Sequence, residues 1–266
     1  MSSDSAEKSS FFSYKQKNSY TETTYHAFIT RGMFVVATQK KQASQKESFS
    51  IKVTSNGPYL VSGGVPLLEK IINYDSKWDT CEWQEGKTYP RQETYALCRC
   101  GESHNKPFCD GTHLKVNFDG TETASHTLYR DEAVAIEGPG LTLSDAKILC
   151  ASARFCHRAG GIWNIMRTSN KPGDKKIAIE EAADCPSGRL VVYDKETGKP
   201  IEPSLEPSIV SIEDPYIKTS GPLWVRVGIP IRSSDDTPYE IRNRVTICRC
   251  GKSKNKPFCD SSHWPE

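Results

Sequence analysis

The most informative segment of this chain is Cys98-Arg-Cys-Gly-Glu-Ser-His-Asn-Lys-Pro-Phe-Cys-Asp-Gly-Thr-His113, because the chain contains it twice. The second copy is Cys248-Arg-Cys-Gly-Lys-Ser-Lys-Asn-Lys-Pro-Phe-Cys-Asp-Ser-Ser-His263. Both copies read C-x-C-x8-C-x3-H, with Pro-Phe before the third cysteine and Asp after it. Three thiolates and one imidazole in so short a segment can converge on one small site. Each copy therefore predicts a metal centre.

The spacing indicates how the four side chains could meet. Cys98 and Cys100 are two residues apart, so an extended strand directs both thiols to one side. Asp110 can cap a short helix, which places Cys109 and His113 four residues apart on one helical face. Three cysteines and one histidine around a single ion form a common structural zinc site. Two separate pairs suit two irons bridged by sulfides, one pair on each iron, so spacing alone leaves both metals open.

Both copies resemble the signature of the CDGSH iron–sulfur (NEET) family, C-x-C-x2-Ser-x3-Pro-x-C-D-G-Ser/Ala/Thr-H. The first copy fits at every signature position and the second at all but one. The resemblance implies a [2Fe–2S] cluster held by three cysteines and one histidine in each copy. Carried over by position, the implied ligands are Cys98, Cys100, Cys109 and His113 in the first copy and Cys248, Cys250, Cys259 and His263 in the second.

The composition bounds the partners and the compartment. The 266 residues are 36% hydrophobic and 26% charged, with a net charge of +2. So balanced a charge lacks the excess of lysine and arginine that nucleic-acid binding requires, and no run is long and apolar enough to span a bilayer. Six of the ten cysteines fall within the two motifs, and thiolate ligands suit a reducing compartment. We expect a cytoplasmic protein that binds neither nucleic acid nor membrane.

An internal repeat extends beyond the two motifs. Gly57-Pro-Tyr-Leu-Val-Ser-Gly-Gly-Val-Pro-Leu67 recurs as Gly221-Pro-Leu-Trp-Val-Arg-Val-Gly-Ile-Pro-Ile231, so each copy reads strand, turn, strand, then motif. In the family that the motifs resemble, two such modules pair about a two-fold axis. We therefore expect a mainly β (α+β) chain in which two small cluster-binding modules pair about a pseudo-two-fold axis. The predicted boundaries are a weakly ordered tail at 1–48, a first module at 49–137, a middle helical and hairpin unit at 138–213 and a second module at 214–266.

The middle unit is predicted to begin with a helix, because Thr142-x-x-Asp145 is a capping-box-like start. The residues that follow at helical spacing are Ala146, Leu149, Cys150, Ala153 and Cys156. A second helix is predicted from Asp174 to Asp184. Cys150, Cys156 and Cys185 resemble the three-cysteine pattern of single-cluster ferredoxins, which implies a third iron–sulfur cluster between the first two. Six residues along one helix, however, separate two side chains by about 9 Å axially and about 120° around the axis. The predicted helix therefore favours buried structural cysteines over a third cluster.

Two differences between the copies carry expectations. The first copy has fourteen more residues between the repeat and the motif, including Trp78, Cys81 and Trp83, which we interpret as a surface loop. The second copy has Ser261 where the first has Gly111. If this position has a positive φ, a side chain there costs on the order of 1 kcal/mol. We therefore expect the second cluster to be the weaker one.

No phosphate-binding loop, dinucleotide glycine pattern or nucleophile elbow is found, so an enzyme is not expected. Two functions stay open. One is one-electron transfer in which the neutral imidazole ligand couples reduction to protonation. The other is cluster delivery or redox and pH sensing, in which protonation of His113 or His263 releases the cluster. The expected partner is a redox protein, for which Lys252, Lys254 and Lys256 offer an acidic-partner docking site, or an apo-protein that accepts a cluster. Both modules lie in one chain, so we expect a monomer.

Overall fold

The structure, a computed structural model, describes residues 12–18, 21–30, 33–37, 49–76 and 79–265. The chain divides into two units, Met1–Lys46 and Glu47–Glu266. In the first unit, the strands β1 (Phe12–Asn18), β2 (Thr21–Thr30) and β3 (Met33–Ala37) form an antiparallel sheet in that order. The remaining residues of the predicted tail at 1–48 lie outside the described part of the chain, so the weak order expected there stays a prediction.

The second unit is mainly β, as the sequence predicts. Its strands are β4 (Ser50–Val53), β5 (Tyr59–Ser62), β6 (Leu67–Tyr74), β7 (Thr80–Thr88), β8 (Thr94–Leu97), β9 (Val134–Glu137), β10 (Leu141–Asp145), β11 (Leu190–Asp194), β12 (Pro200–Ile201), β13 (Ser208–Asp214), β14 (Thr219–Arg226), β15 (Ile231–Arg232) and β16 (Arg244–Ile247). Its α-helices are α1 (Thr112–Lys115), α2 (Tyr129–Glu132), α3 (Ile162–Ile165) and α4 (Pro172–Ala183). Short 3-10 helices lie at Lys147–Leu149, Phe155–Gly160 and Met166–Thr168. No helix in this described part of the chain has the length and apolar character that a membrane span requires.

The two repeats exchange a strand with each other. One sheet has the order β15-β4-β5-β8 and the other β16-β14-β13-β6-β7, so each sheet contains a strand from the opposite repeat. The exchanged strands pair in parallel, with the Ile51 amide donating to Pro230 O and the Ile209 amide to Pro66 O, each at 2.9 Å. Equivalent residues therefore make equivalent contacts. The two modules pair within one chain, as the sequence predicts.

The two motifs meet where the repeats face each other. Cys100 and Cys250 form an isolated antiparallel bridge. A side-chain carbon on Gly101 would come within 2.6 Å of the Cys250 carbonyl oxygen, and one on Gly251 within 2.5 Å of the Cys100 carbonyl oxygen. Glycine is required at both positions because any side chain would collide with the other module's backbone. The same pair of glycines keeps the two metal centres close to each other.

A single hydrophobic core joins the two sheets. It combines Tyr59 and Leu97 of the first repeat with Ile209, Leu223 and Ile247 of the second, all of them 0% exposed. Burying each large apolar side chain contributes about 1.5–3 kcal/mol. Neither module has a complete core of its own, so both motifs rest on one shared core.

The predicted helix at the start of the middle unit is wrong. Residues 142–145 belong to β10, which is hydrogen-bonded between β9 and β11 in a sheet of order β12-β11-β10-β9. Leu141 and Leu143 are both fully buried and alternate with polar residues, a period of two that decides for a strand. The second predicted helix is confirmed as α4, which packs with α3 against this sheet.

The predicted surface loop around Cys81 is also wrong. Cys81 and Trp83 lie in β7, at the edge of the five-stranded sheet and paired with β6, whereas Trp78 of the predicted loop lies outside the described residues. Trp83 packs against Phe155 of the middle unit and Trp224 of the second repeat, with ring centroids 4.6 and 5.3 Å apart. The Arg158 guanidinium donates to the Cys81 carbonyl oxygen at 2.8 Å. The insertion is therefore structural, since it attaches the middle unit to the paired modules.

Candidate metal centres

The first motif forms a loop that folds back on β8. The Cys98 amide donates to Pro107 O at 2.8 Å, and the Cys109 amide donates to Ala96 O at 2.9 Å. These two bonds fix both ends of the loop on the strand. Cys98 and Cys100, which directly follow the strand, bring their Sγ atoms to 3.8 Å.

The second half of the motif brings its cysteine and histidine together. The Cys109 Sγ lies 3.4 Å from Nδ1 of His113, which is in the first turn of α1. Asp110 Oδ1 accepts the Thr112 amide at 3.0 Å and Oδ2 accepts the His104 amide at 2.9 Å, but the residue that caps α1 is Gly111, so Asp110 holds the turn before the helix and Cys109 lies outside it. These bonds, the His104 amide first, hold the pKa of Asp110 below its usual range. An ionised aspartate thus holds the turn between the two ligands.

The second motif repeats these contacts. Cys248 and Cys250 have their Sγ atoms 3.6 Å apart, and Cys259 Sγ is 3.5 Å from His263 Nδ1. Asp260 accepts the Ser262 amide at 3.0 Å and the Lys254 amide at 2.7 Å. One expectation fails here, because the segment that carries Cys259 and His263 is a turn and not a helix. The cysteine–histidine separation nevertheless stays close to the 3.4 Å of the first motif.

The eight side chains lie in close pairs and not in sets of four. In the part of the chain that the structure describes, no three His, Cys, Asp or Glu side chains converge as a group that could hold one metal ion. A structural zinc needs four ligands at about 2.0–2.3 Å from one ion. Two irons bridged by sulfides need only two ligands each. The chemistry and the pairing of the donors therefore fit a binuclear iron–sulfur cluster.

Two buried arginines, which the sequence reading passed over, anchor the cysteine pairs. Arg99 is 2% exposed and donates to the Thr54 carbonyl oxygen at 2.8 Å and to the Gly120 carbonyl oxygen. Arg249 is 3% exposed and donates to the Ile212 carbonyl oxygen at 2.9 Å and to the Glu213 carboxylate. Each arginine points away from the thiols on either side of it, so both cysteines face the site. The sequence signal was Cys-Arg-Cys, present in both motifs.

The two centres differ in solvent access. His263 is only 8% exposed, and burial lowers its pKa to about 4. His113 is half-buried. The neighbour that follows each histidine shows the same contrast, since Trp264 is half-buried and Leu114 is 75% exposed. The outer edge of the first centre is therefore the more open one.

The middle cysteines share one cavity, contrary to the argument from a continuous helix. Cys150, Cys156 and Cys185 line it together with Arg189. Burial, and then the thiols of Cys185 and Cys150, raises the pKa of Cys156 to about 12. At Cys150 the Ser152 amide and the Arg189 guanidinium outweigh burial and lower the pKa. The backbone turns between Cys150 and Cys156, at Ser152 and Arg154, which allows all three cysteines to line one cavity.

Three other histidines of the described residues have partners of their own. His104 is exposed and lies 3.4 Å from Asp110, His126 stacks on Tyr239, and His157 contacts the edge of Trp163. Each of these three histidines thus contacts another side chain of the fold.

Three segments of the chain match family models. Residues 56–114 and 220–264 both match the family described as iron-binding zinc finger CDGSH type. Residues 136–195, between them, match the family described as a divergent 4Fe-4S mono-cluster. No curated protein and no solved structure matches the chain. All three matched segments contain the cysteines that the structure brings together.

Proposed function

The chain carries two CDGSH-type iron-binding segments around a divergent 4Fe-4S mono-cluster segment, and from this we propose that it is an iron–sulfur electron carrier. Each CDGSH-type site binds one [2Fe–2S] cluster through three cysteines and one histidine. The ligands of the two sites are Cys98, Cys100, Cys109 and His113, and Cys248, Cys250, Cys259 and His263. The observation that carries the proposal is the division of each set into two pairs 3.4–3.8 Å apart.

Metal and sulfide analysis tests the cluster type. Purified without oxygen, the protein is expected to be red-brown, with about four irons and four sulfides from these two sites. Replacing Cys109 and Cys259 together with serine should remove this iron, whereas Cys81→Ser, at a thiol outside every site, should keep it. A colourless protein with stoichiometric zinc would refute the proposal.

The histidine ligands supply the proton coupling. A [2Fe–2S] cluster accepts or gives one electron. Imidazole is neutral as a ligand and is protonated far more readily than a thiolate is lost. His113, half-buried, can exchange a proton with solvent when the charge of the site changes, whereas His263 is shielded from solvent. Proton coupling is therefore expected to be stronger at the first site, and the slope of potential against pH measures it.

Cluster delivery is the second candidate function. The half-buried His113 favours it, because protonation of an accessible ligand would open the first site. Mixing the holoprotein with an apo-ferredoxin separates the two functions. Cluster transfer within minutes would support delivery, and electron exchange with retained clusters would support the carrier.

The middle unit supplies a third cluster site in this proposal. Cys150, Cys156 and Cys185 would hold the cluster, and their shared cavity and the match to a mono-cluster family support it. A continuous helix would have kept Cys150 and Cys156 apart, but no such helix forms between them. Iron should rise to about eight per chain for a four-iron cluster, and Cys185→Ser should return it to about four. A chain with about four irons before this replacement would refute the third site.

We propose that the redox partner is an acidic protein that docks beside the second site. Two adjoining grooves meet at Cys250, and their rims carry Lys252, Lys254 and Lys218, all exposed. One of the grooves reaches His263. Positive charge around an opening to the ligands steers an acidic carrier toward them. The first motif has Glu102 and His104 where the second has Lys252 and Lys254, and its Glu102 and Lys106 line the same groove as Lys252.

Reduction by an acidic ferredoxin tests the docking site. The second-order rate constant should fall as salt rises, and reversing charge with Lys252→Glu and Lys254→Glu should lower it by about tenfold. The same reversal at Lys87 and Lys199, exposed lysines outside both grooves, serves as the control. A rate that is equal in both double variants would refute the site. Because thiolate ligands suit a reducing compartment, we place this exchange in the cytoplasm, with a monomeric chain.

A further inference from the structure

The middle unit contacts the second site at Ser261, one of the four positions where its motif differs from the first. Ser261 has φ 76°, and Gly111 at the equivalent position has φ 86°. A serine in this left-handed region costs on the order of 1 kcal/mol. The Ser261 Oγ donates to the Cys150 carbonyl oxygen at 2.8 Å. The strained side chain therefore joins a ligand-bearing segment of the second site to a cysteine of the middle site.

A second contact lies beside the first. The Arg154 guanidinium, from the loop between Cys150 and Cys156, lies 4.5 Å from the ring of Trp264. The same guanidinium pairs with Asp214 at 2.7 Å, in a strand of the second repeat. Two independent contacts thus hold the middle cysteine loop against the outer edge of the second site.

The first site has no such neighbour at the equivalent edge. A side-chain carbon on Gly111 would meet nothing within 4 Å in the described part of the chain, and Leu114 there is 75% exposed. Its inner edge, in contrast, meets the second site through the bridge between Cys100 and Cys250. The second site therefore has a metal centre on each side, whereas the first has one neighbour.

We propose, on the basis of the function proposed above, that the three sites form a linear path in the order first, second, middle. The second site is its central relay, and the Ser261–Cys150 hydrogen bond couples it to the middle site. The expectation that a third cluster would lie between the first two is thereby replaced. Ser261 acts as a positioning residue, since its hydroxyl contacts a backbone carbonyl and not a metal.

The step is a transfer of one electron, with no bond formed or broken. One site is oxidised by one electron as its neighbour is reduced by one, and the acidic carrier proposed above supplies the electron. Ser261 is two residues from Cys259, at most about 7 Å of chain, so the hydrogen bond replaces a jump through solvent by a short path through backbone. Without the hydroxyl, the two loops are still packed by Arg154 and Trp264, but this path is interrupted.

The order can be tested on the unaltered holoprotein. When all clusters are reduced with dithionite, electron paramagnetic resonance should show a magnetic interaction between the middle-site and second-site spins. About eight irons without this interaction would overturn the order and leave the proposed clusters in place. About four irons would show instead that the middle cluster itself is absent, and the path would fail with it.

The role of Ser261 is tested by freeze-quench spectroscopy after mixing with one electron equivalent of dithionite. Ser261→Ala and Ser261→Gly both lack the hydroxyl, but only the alanine keeps the strained side-chain carbon. Both are expected to slow the arrival of the electron at the middle site while iron and sulfide content stays at that of the unaltered protein. Ser234→Ala, at an exposed serine elsewhere in the second repeat, is the control. Equal rates in all four proteins would overturn the coupling through Ser261.

Discussion

Glu181 is a buried carboxylate with an incomplete environment. It lies on α4, is 0% exposed, and neither of its oxygens has a hydrogen-bond partner in the described residues. Burial raises its pKa to about 7, against the opposing effects of the Arg158 guanidinium and the nearby Ile162 amide. Asp184, which pairs with Arg158, adds to the rise. The pKa rises because burial removes water from the carboxylate and the fold supplies too few hydrogen-bond donors to replace it.

The sign and size of the effect on stability follow from this shift. The folded pKa is about 7 and the model-peptide value 4.5, so between these values the unfolded chain loses the proton and the folded chain keeps it. The free energy of unfolding therefore falls as pH rises through this window and is lowest above it. At about 1.4 kcal/mol per pKa unit, the loss is roughly 3 kcal/mol. Replacing Glu181 with Gln removes the loss but buries an amide, at a cost of about 1 kcal/mol.

Glu181→Gln should therefore raise the free energy of unfolding by roughly 2 kcal/mol at pH 8 and lower it slightly at pH 5. The assay is urea unfolding of the holoprotein at both pH values, followed by far-ultraviolet circular dichroism. Glu180→Gln is the matched control, because Glu180 is the exposed neighbour on the same helix. Other titrating groups contribute equally to each protein and cancel in the difference. Curves of variant and unaltered protein that stay parallel from pH 5 to pH 8 would contradict the reasoning.

Three further outcomes are expected. Arg99→Met and Arg249→Met should each lower the free energy of unfolding by about 3 kcal/mol, because each leaves buried carbonyl groups without a hydrogen-bond donor. Thermal melts that differ little from that of the unaltered protein would contradict this. Tyr59→Phe should lower the free energy of unfolding by about 1–2 kcal/mol and loosen the second cluster, because the Tyr59 hydroxyl donates to two carbonyl oxygens of that motif at 2.8 and 3.1 Å. Iron release to a chelator measures this, and faster release from the first site would count against it. On acidification the first site, whose histidine is the more exposed, should be lost before the second, so absorbance should bleach in two phases. His113→Cys should remove the earlier phase, and loss of the later phase would refute the order.

The last expectation reverses the order that the sequence predicts. Ser261 does have the positive φ that was inferred, and the strain of about 1 kcal/mol follows. Burial of His263, however, lowers its pKa to about 4, some two units below its ordinary value, which is worth roughly 3 kcal/mol of resistance to protonation. The larger effect comes from the middle unit packing over this edge. No pattern within the motif carries that information, because the covering residues are about a hundred positions earlier in the chain.

The sequence predicts those features that depend on residues close to one another in the chain, and it misses those that depend on distant residues. The closeness of the cysteine and histidine side chains within each motif follows from spacing within sixteen residues, and the pairing of the two modules follows from the longer repeat. The helix predicted from Thr142 fails because hydrogen bonds to β9 and β11 override a cap-like pattern, and these strands are distant partners. The cavity that Cys150, Cys156 and Cys185 share was missed for the same reason. Periodicity assumed that the helix continued, while the backbone turns at Ser152 and Arg154, both at positive φ.

Joining two modules in one chain removes the constraint of symmetry. In a pair of identical chains, a substitution at the position of Gly111 would appear at both sites. Here the second copy alone carries Ser261, and with it Lys252 where the first has Glu102. The shared core and the facing glycines keep the two copies geometrically equivalent, so these differences act on identical frames. One site can thus be covered by the middle unit and surrounded by lysines while the other stays open to solvent. The asymmetry is therefore a property of single residues on a symmetric scaffold.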